Sequence, residues 1–267
     1  MRVSLVTITF NAANTLPPTL DSVAMQHHDD VEHIVVDGAS SDGTADLARH
    51  YADLMEKADN GHEVIVVSEP DKGLYDAMNK GLRLVTGEYV CFLNAGDRLP
   101  DADTLSRIVE TAEMGGDGNK PGVVYGDTDL IDAEGRFIGH RRHIVPDKLT
   151  WRSFRKGMLV CHQAFYARTD LAKQVEYDIR YRYSADVDWC IRVMRLAEQQ
   201  KVPLSRVSGV VALYLKEGMT TQHHKESLKE RFAVMRHHYG LLTTLVMHAW
   251  FFIRAGWRKM SSSKHSG

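Results

Sequence analysis

The chain is poor in several features that would each have named a class. It has three cysteines, Cys91, Cys161 and Cys190, isolated from one another. There is no CxxC pair, and an odd count argues against a disulfide framework. That pattern suits a reducing compartment. The charge is nearly balanced, at −2 over 267 residues, so nothing overall pulls the protein toward nucleic acid, and any basic patch must be local. The longest apolar run, Leu241 to Ile253, is interrupted by His248 and two threonines. It is shorter than the roughly 20 residues a spanning helix needs. The opening Met-Arg-Val-Ser-Leu-Val-Thr-Ile is strand-like at once, without the pattern of a secretory leader. No glycine-rich turn follows the first strand, where a dinucleotide-binding domain would need one; Asn11-Ala12-Ala13-Asn14 stands there. Repeats and low-complexity tracts are also missing.

What is there is alternation. Strands are predicted at Val3–Phe10, His33–Val36, Val64–Val67 and Tyr89–Leu93. Helices are predicted from Asn14 or Thr15 to Gln26, with Pro17 and Pro18 in the first turn, then from Ser41 or Asp42 to Ala58, and over 74–86. Leu74, Met78, Leu82 and Val85 recur at helical spacing in the last of these, and Gly87 ends it. This order implies a mostly parallel, doubly wound sheet. The second half is less regular. Helices are expected at Asp103–Met114, Asp186–Gln199, Ser227–His238 and 241–259. Strands are expected at Val123–Tyr125, ending at Gly126-Asp127, and at Val207–Leu215. A glycine-rich loop is expected over 115–122, a hairpin turn at Asp132–Gly135, a basic aromatic connection over 148–157, and a disordered tail from Ser261 to Gly267.

Acidic and polar residues collect where strands of such a sheet end, the edge at which open α/β sheets bind ligands. The first strand ends at Thr9-Phe10-Asn11. The second ends at Asp37, within Val-Asp-Gly-Ala-Ser-Ser-Asp-Gly-Thr. Asp42 reads as a cap that fixes this loop. Asp71-Lys72-Gly73 opens the 74–86 helix, where backbone N–H groups can face a phosphate; Lys72 is a phosphate cation or merely solvated. Asn94-Ala95-Gly96-Asp97 follows the fourth strand, and a carboxylate there suits a hard divalent cation holding a diphosphate. Asp186 and Asp188 open a helix but do not share a face.

The run from Glu69 to Asp97, with the Asp37–Thr44 segment, resembles the inverting family-2 glycosyltransferases of GT-A fold. The likeness covers about residues 1–225 and is strongest over 1–100. It is closest to a subset of the colanic-acid and exopolysaccharide type, similar in having Asn-x-Gly-Asp where others carry an Asp-x-Asp signature. The resemblance implies a GT-A domain over 1–225, with a nucleotide-sugar half at 1–100 and an acceptor half at 101–225. Helices over 226–260 would follow, in possible membrane contact through 241–259.

It implies that Thr9, Phe10, Asn11, Asp37, Asp71, Lys72, Asn94, Ala95 and Gly96 bind the nucleotide. Asp97 alone would bring the protein carboxylate to Mn2+ or Mg2+. Asp76, His162, Gln163, Asp188 and Trp189 would meet the sugar or acceptor, and one His of 222–224 would complete metal or phosphate contacts. Asp186 would be the catalytic base, in a place where many members carry Glu-Asp and this chain has Ala185-Asp186. The implied reaction moves a sugar, with inversion, from a nucleotide-diphosphate-sugar donor to a saccharide or lipid-linked saccharide acceptor. UDP is the first expectation for the nucleotide and GDP the second. The setting would be cell-surface or exopolysaccharide assembly at the cytoplasmic membrane face. A sugar-nucleotide-binding protein without turnover is the alternative from another class, and a nucleotidyltransferase is the weaker one, because residues 11–16 lack its basic glycine-rich loop.

Overall fold

The computed structural model describes residues 1–114, 120–216 and 224–262. Its centre is an eight-stranded sheet in the order β3-β2-β1-β4-β7-β5-β6, with β8 alongside β5. The strands β1 (Val3–Thr9), β2 (Val31–Asp37), β3 (His62–Ser68) and β4 (Tyr89–Phe92) are parallel. They are joined by α1 (Leu16–Ala24), α2 (Thr44–Ala58) and α3 (Leu74–Leu84). Every residue of β1 and β2 is buried, as a parallel sheet covered on both faces requires. The polar exceptions are paired. Glu32 accepts from Ser4 Oγ at 2.5 Å and Thr86 N at 2.8 Å, and His33 lies between Thr7 Oγ1 (2.9 Å) and Tyr51 Oη (3.0 Å). Buried polar groups persist where they find such partners.

After α4 (Thr104–Glu113) the sheet turns mixed. β7 (Phe165–Arg168) runs antiparallel to β4 and to β5 (Val123–Ile131). β6 (Phe137–His140) closes a hairpin on β5 through Asp132–Gly135, where Gly135 has φ +81°. β8 (Leu204–Leu215) lies parallel to β5. The predicted stop of β5 at Gly126-Asp127 is corrected: the strand continues to Ile131. A Cβ on Gly126 would stand 2.8 Å from Val211 and 2.9 Å from Val207. This glycine admits close approach of β8 at a register shift, and does not end the strand.

The helices α5 (Thr169–Ala172) and α6 (Ala185–Gln199) precede β8, and α7 (His224–Tyr239) and α8 (Leu241–Ser262) follow it. Val234 of α7 belongs to the same buried cluster as Val3 and Val123, so this helix is part of the core. α8 runs through Ser261 and Ser262, two residues expected in the tail. Among the described residues no helix is long and apolar enough to cross a membrane. Most of the expected glycine-rich loop, 115–119, lies outside the described residues, as do 263–267.

The helix α3 carries residues of the site described below, and it is seated by Gly81, whose added Cβ would lie 2.3 Å from Val6 Cγ1 of β1. Alanine there would gain roughly 1 kcal/mol of helix propensity and cost roughly 1–3 kcal/mol of overpacking. Because 2.3 Å is far inside van der Waals contact, the second effect wins. Gly81→Ala is expected to lower the urea midpoint; an unchanged or raised midpoint would show that α3 can slide on β1 without loss.

Candidate active site

The carboxyl ends of β1, β2 and α3's approach form one floor. Asn11 adopts φ +46°. Its N–H donates to Ser40 Oγ at 2.8 Å, and its Oδ1 accepts from Ser41 N at 3.0 Å. Asp42 accepts from Ala13 N at 3.1 Å and from Thr44 N at 3.1 Å, tying the two loops together. Asp37 is fully buried and accepts from Ser40 N at 3.0 Å, from Ser68 Oγ at 2.6 Å and from Ser40 Oγ. Three of the about four acceptor positions of a carboxylate are therefore filled within the loop. Thr9 Oγ1 is buried without a partner among the described residues.

Phe10 is 64% exposed, and a Cβ on Gly38 would meet both Asp71 Oδ2 (2.5 Å) and Phe10 Cδ2 (3.2 Å). An aromatic ring and a carboxylate thus close in on a backbone position that leaves no room for a side chain. Asp71 also accepts from Gly73 N at 2.7 Å, and Lys72 is exposed. Asp76, expected at the sugar, lies in the first turn of α3 and accepts from Lys72 N at 3.0 Å, tying the preceding loop to the helix.

Across the sheet, β4 delivers the turn Asn94–Asp97. Gly96 has φ +101°, and a Cβ there would lie 2.6 Å from Leu215 Cδ2. An acid at this position would have to adopt a left-handed backbone conformation and displace the Leu215 side chain. Thr19 Oγ1 donates to Asp97 O (2.7 Å) and accepts from Gly96 N (2.9 Å). The Asp97 carboxylate accepts from Gln163 Nε2 at 2.7 Å and from Leu215 N at 2.9 Å. Burial pushes its pKa up to about 6, against the lowering effect of those two bonds.

His162 and Asp186 complete the group. Asn94 Nδ2 lies 3.2 Å from His162 Nε2, and His162 Nδ1 lies 3.4 Å from Asp186 Oδ2. With the amide donating to Nε2, the ring proton sits on Nδ1, toward the carboxylate. Tyr75 Oη donates to Asp186 Oδ1 at 3.1 Å. Burial raises the Asp186 pKa, but the His162 contact and the charge of Arg231 outweigh it, leaving the carboxyl below its usual range. An ionised carboxylate in the first turn of α6 can accept a proton from a hydroxyl.

Tyr75 was not singled out from sequence. It lies one residue beyond the Leu74 stripe of α3, on a different side of the helix, and no local pattern marks its partner 111 residues away. It is held by a column of rings: Tyr75 stacks on Tyr177 (5.6 Å), and Tyr177 on Trp189 (4.9 Å). Asn79 pins Tyr177 by donating to its carbonyl (2.9 Å) and accepting from its N–H (2.7 Å).

Three residues expected at the acceptor are buried and bonded within the protein. Trp189 is fully buried with its indole N–H donating to Val175 O at 2.9 Å, so it supports Tyr75 from within the core. Asp188 is 3% exposed and is held by Arg192 and His238, each at 2.7 Å, which ties α6 to α7. Gln163 is 1% exposed and spends its amide on Asp97. The histidine sought within 222–224 falls outside the residues whose side chains are described.

The family model of glycosyl transferase family 2 matches residues 4–175. A PGL/p-HBAD biosynthesis glycosyltransferase of Mycobacterium bovis is 37% identical over 190 residues, 71% of this chain and 68% of the relative. The amylovoran biosynthesis glycosyltransferase AmsB of Erwinia amylovora is 26% identical over 202 residues, 72% of this chain and 64% of that protein. Among solved structures, S. aureus TarS 1-349 in complex with UDP-GlcNAc superposes with TM-score 0.66 at 18% identity, covering 88% of this chain and 65% of that TarS fragment. The mannosyltransferase PcManGT of Pyrobaculum calidifontis, in complex with GDP-Man and Mn2+, gives 0.63 at 21% identity, over 93% of this chain and 68% of the other. The chain belongs to glycosyl transferase family 2, and its fold is GT-A.

The Asp97 shift generates a pH prediction. A carboxyl raised from 3.8 to about 6 binds its proton more tightly folded than unfolded. Its protonation therefore supports stability below about pH 4, and that support is lost as pH rises through 6. The loss is on the order of 3 kcal/mol at neutral pH without a bound cation. Asp97→Asn can keep the Leu215 bond through Oδ1, and the Gln163 amide can turn its oxygen to the new NH2. The variant should be more stable than wild type at pH 7 and not at pH 4, read by urea titration without metal. A difference that does not depend on pH would refute the assignment.

Proposed function

We propose that the protein transfers a sugar from a nucleoside-diphosphate-sugar donor to a hydroxyl of a lipid-linked saccharide acceptor, with inversion, in the assembly of a cell-surface polysaccharide or glycolipid. The observation that carries this reading is the Asp186 carboxylate, bonded to Tyr75 and His162 at the start of α6 and kept ionised, in one hydrogen-bonded group with the Asn94–Asp97 turn. The names of the mycobacterial and Erwinia relatives, which refer to glycolipid and amylovoran biosynthesis, support the class of product. The UDP, UDP-GlcNAc and GDP-Man of the structural neighbours support a UDP-sugar first and a GDP-sugar second.

In this reading Phe10 and Asp71 flank the base, Asn11 shapes the loop that meets it, and Asp37 offers its remaining acceptor position to the ribose or base. Asp186 takes the proton from the acceptor hydroxyl. Tyr75 and His162 fix the carboxylate while it does so. The group Asn94 and Asp97 fits a divalent cation of the Mn2+ or Mg2+ kind: Asn94 Oδ1 is buried without a partner among the described residues, and burial alone holds the Asp97 pKa high, so a cation would relieve both. These two residues would hold it, with diphosphate and water filling the shell, and the ion would neutralise the departing diphosphate. Ala95 and Gly96 keep the turn close to that position. The exposed side of α8, with Leu242, Val246 and Phe252, suits peripheral contact with the membrane that carries the acceptor.

Asp186→Asn keeps the size of the side chain but cannot take a proton. Transfer from a labelled donor is expected to fall by roughly 10²–10⁴-fold, the usual worth of a positioned base, while calorimetric affinity for UDP or GDP with manganese stays near wild type. Normal transfer by this variant would place the base elsewhere. Donor hydrolysis absent in the wild type, with nucleotide still bound, would favour a binding protein without turnover.

A further inference from the structure

The matched family stretch ends at residue 175, so Asp186 and the whole of α7 lie beyond it. Between Tyr177, pinned by Asn79, and the first residue of α6, the chain is irregular over 178–184. The end of this segment is held by α7. The Glu230 carboxylate accepts from Arg182 N through Oε1 at 2.8 Å and from Tyr183 N through Oε2 at 2.7 Å. Ser184 Oγ donates to Ser227 O at 3.3 Å, and both serines are buried. Past Asp186, Asp188 Oδ1 meets His238 Nε2 at 2.7 Å. Contacts to one helix thus bracket Asp186 on both sides. Ser227, Glu230, Val234 and His238 follow one another at helical spacing and form one stripe along α7. Val234, in the middle of that stripe, is fully buried in the core, so the polar members keep their direction. Ser184 stands at the N-cap of α6 and makes no capping bond with its side chain. Its hydroxyl goes to Ser227 O. A neighbouring helix therefore sets the entry into α6 in place of the usual side-chain cap.

We propose that Glu230 is a positioning residue for the Asp186 base, and that α7 thereby completes the active site. This rests on the preceding assignment of Asp186 as the proton acceptor and adds what fixes its direction. Asp186 has partners on two separate elements: Tyr75 Oη of α3 at 3.1 Å, and His162 Nδ1 of the 162–164 turn at 3.4 Å. Both are met only if α6 begins at the right residue. Starting the helix one residue earlier or later turns a side chain by about 100° and moves it about 1.5 Å along the axis. Neither contact survives such a change. A carboxylate that takes two consecutive N–H groups, one on each oxygen, fixes the backbone against rotation, where a single bond would leave a pivot. The ionised acceptor also makes each bond stronger than one to a neutral oxygen. Glu230 holds backbone groups ahead of α6, so it acts on the base through geometry. The buried Asp188–His238 pair is a second anchor further into α6, which keeps the two helices together when the first is lost. Glu230 is half-buried and Arg182 is exposed, so water can replace the carboxylate without unfolding the helix pair.

The test compares Glu230→Ala, Glu230→Gln, Asp186→Asn and the double variant Asp186→Asn with Glu230→Ala, all in the full chain. Glu226→Ala is the control: Glu226 is an exposed acid one turn earlier on α7, so its loss removes the same charge from the same helix. Transfer is measured from a panel of labelled UDP- and GDP-sugars to a polyprenyl diphosphate sugar, with affinity for UDP or GDP in manganese and the urea midpoint in parallel. Glu230→Ala is expected to lower kcat by roughly 10²-fold, the cost of a misplacement of about 1 Å, with donor KM and nucleotide affinity near wild type. Glu230→Gln keeps one acceptor oxygen and should fall between; it carries the test if Glu230→Ala does not fold. Glu226→Ala should transfer like wild type. In the Asp186→Asn background there is no base left to position, so Glu230→Ala should cost nothing further. Normal transfer by Glu230→Ala, or the same loss in both backgrounds, would overturn the positioning role and leave the Asp186 assignment standing. An equal loss in Glu226→Ala would trace the effect to the charge of α7 and also overturn it, as would a matching loss of nucleotide affinity. If Asp186→Asn itself transfers like wild type, the base assignment fails and the role of Glu230 falls with it.

Discussion

The buried turn at Asp97 is the joint on which the site depends. It sits at the end of β4, yet it bonds to α1 through Thr19, to the His162–Ala164 turn through Gln163, and to the end of β8 through Leu215. Each bond is made to a backbone or carboxylate oxygen that would otherwise be buried unpaired, at a cost of roughly 1–3 kcal/mol or more. The same bonds set the position of His162, one residue before Gln163. His162 then spans from Asn94 to Asp186. A single desolvated carboxylate thus connects the two halves of the chain at the point where chemistry is expected. Its burial keeps it short of full ionisation near neutral pH, so the joint is also sensitive to any cation that arrives.

Much of this could be read from the residues, and the reason is locality. The strands β1, β2 and β4 are buried throughout and the edge strand β3 only in part, so each reads as a short, largely apolar run with polar residues at or just past its carboxyl end. Asp37, Asp71, Asn94 and Asp97 all lie where that rule puts them. Asp42 ties its loop, as turn chemistry predicts. The second half depends on non-local pairing and was read less well. Gly126 looked like a strand stop, but it is a close approach to Val207 and Val211, residues more than 80 positions away. The fate of Asp188 rests on His238 of a later helix. From the sequence, Asp186 and Asp188 differ only in helical phase, and phase alone does not say which side faces solvent.

The Asn-Ala-Gly-Asp turn shows why a departure from a family pattern can be structural. Glycine at 96 reads as the loss of an acid. In the fold it is demanded twice, by φ +101° and by the Leu215 side chain lying where a Cβ would be. The same packing brings Leu215 N to the Asp97 carboxylate. The close approach of β8 therefore removes one carboxylate and fixes the other. Negative charge at the turn is concentrated in one group, beside the neutral amide of Asn94, whose oxygen has no partner among the described residues.

The aromatic column follows the same logic of support from a distance. A tyrosine hydroxyl can orient a carboxylate only if its ring cannot turn away. Tyr75 is fixed by stacking on Tyr177, Tyr177 by stacking on Trp189 and by the Asn79 clamp, and Trp189 by its bond to Val175 O. Phe92 of β4 meets both Tyr177 and Trp189 edge-on, at 5.2 and 5.6 Å. β4 therefore carries the Asn94–Asp97 turn at its end and the wedge of the aromatic column in its last residue. The same strand thus backs both sides of the His162–Asp186 pair, His162 through Asn94 and Asp186 through the rings behind Tyr75. Support of both side chains by one buried element makes the geometry of the His162–Asp186 pair a property of the core.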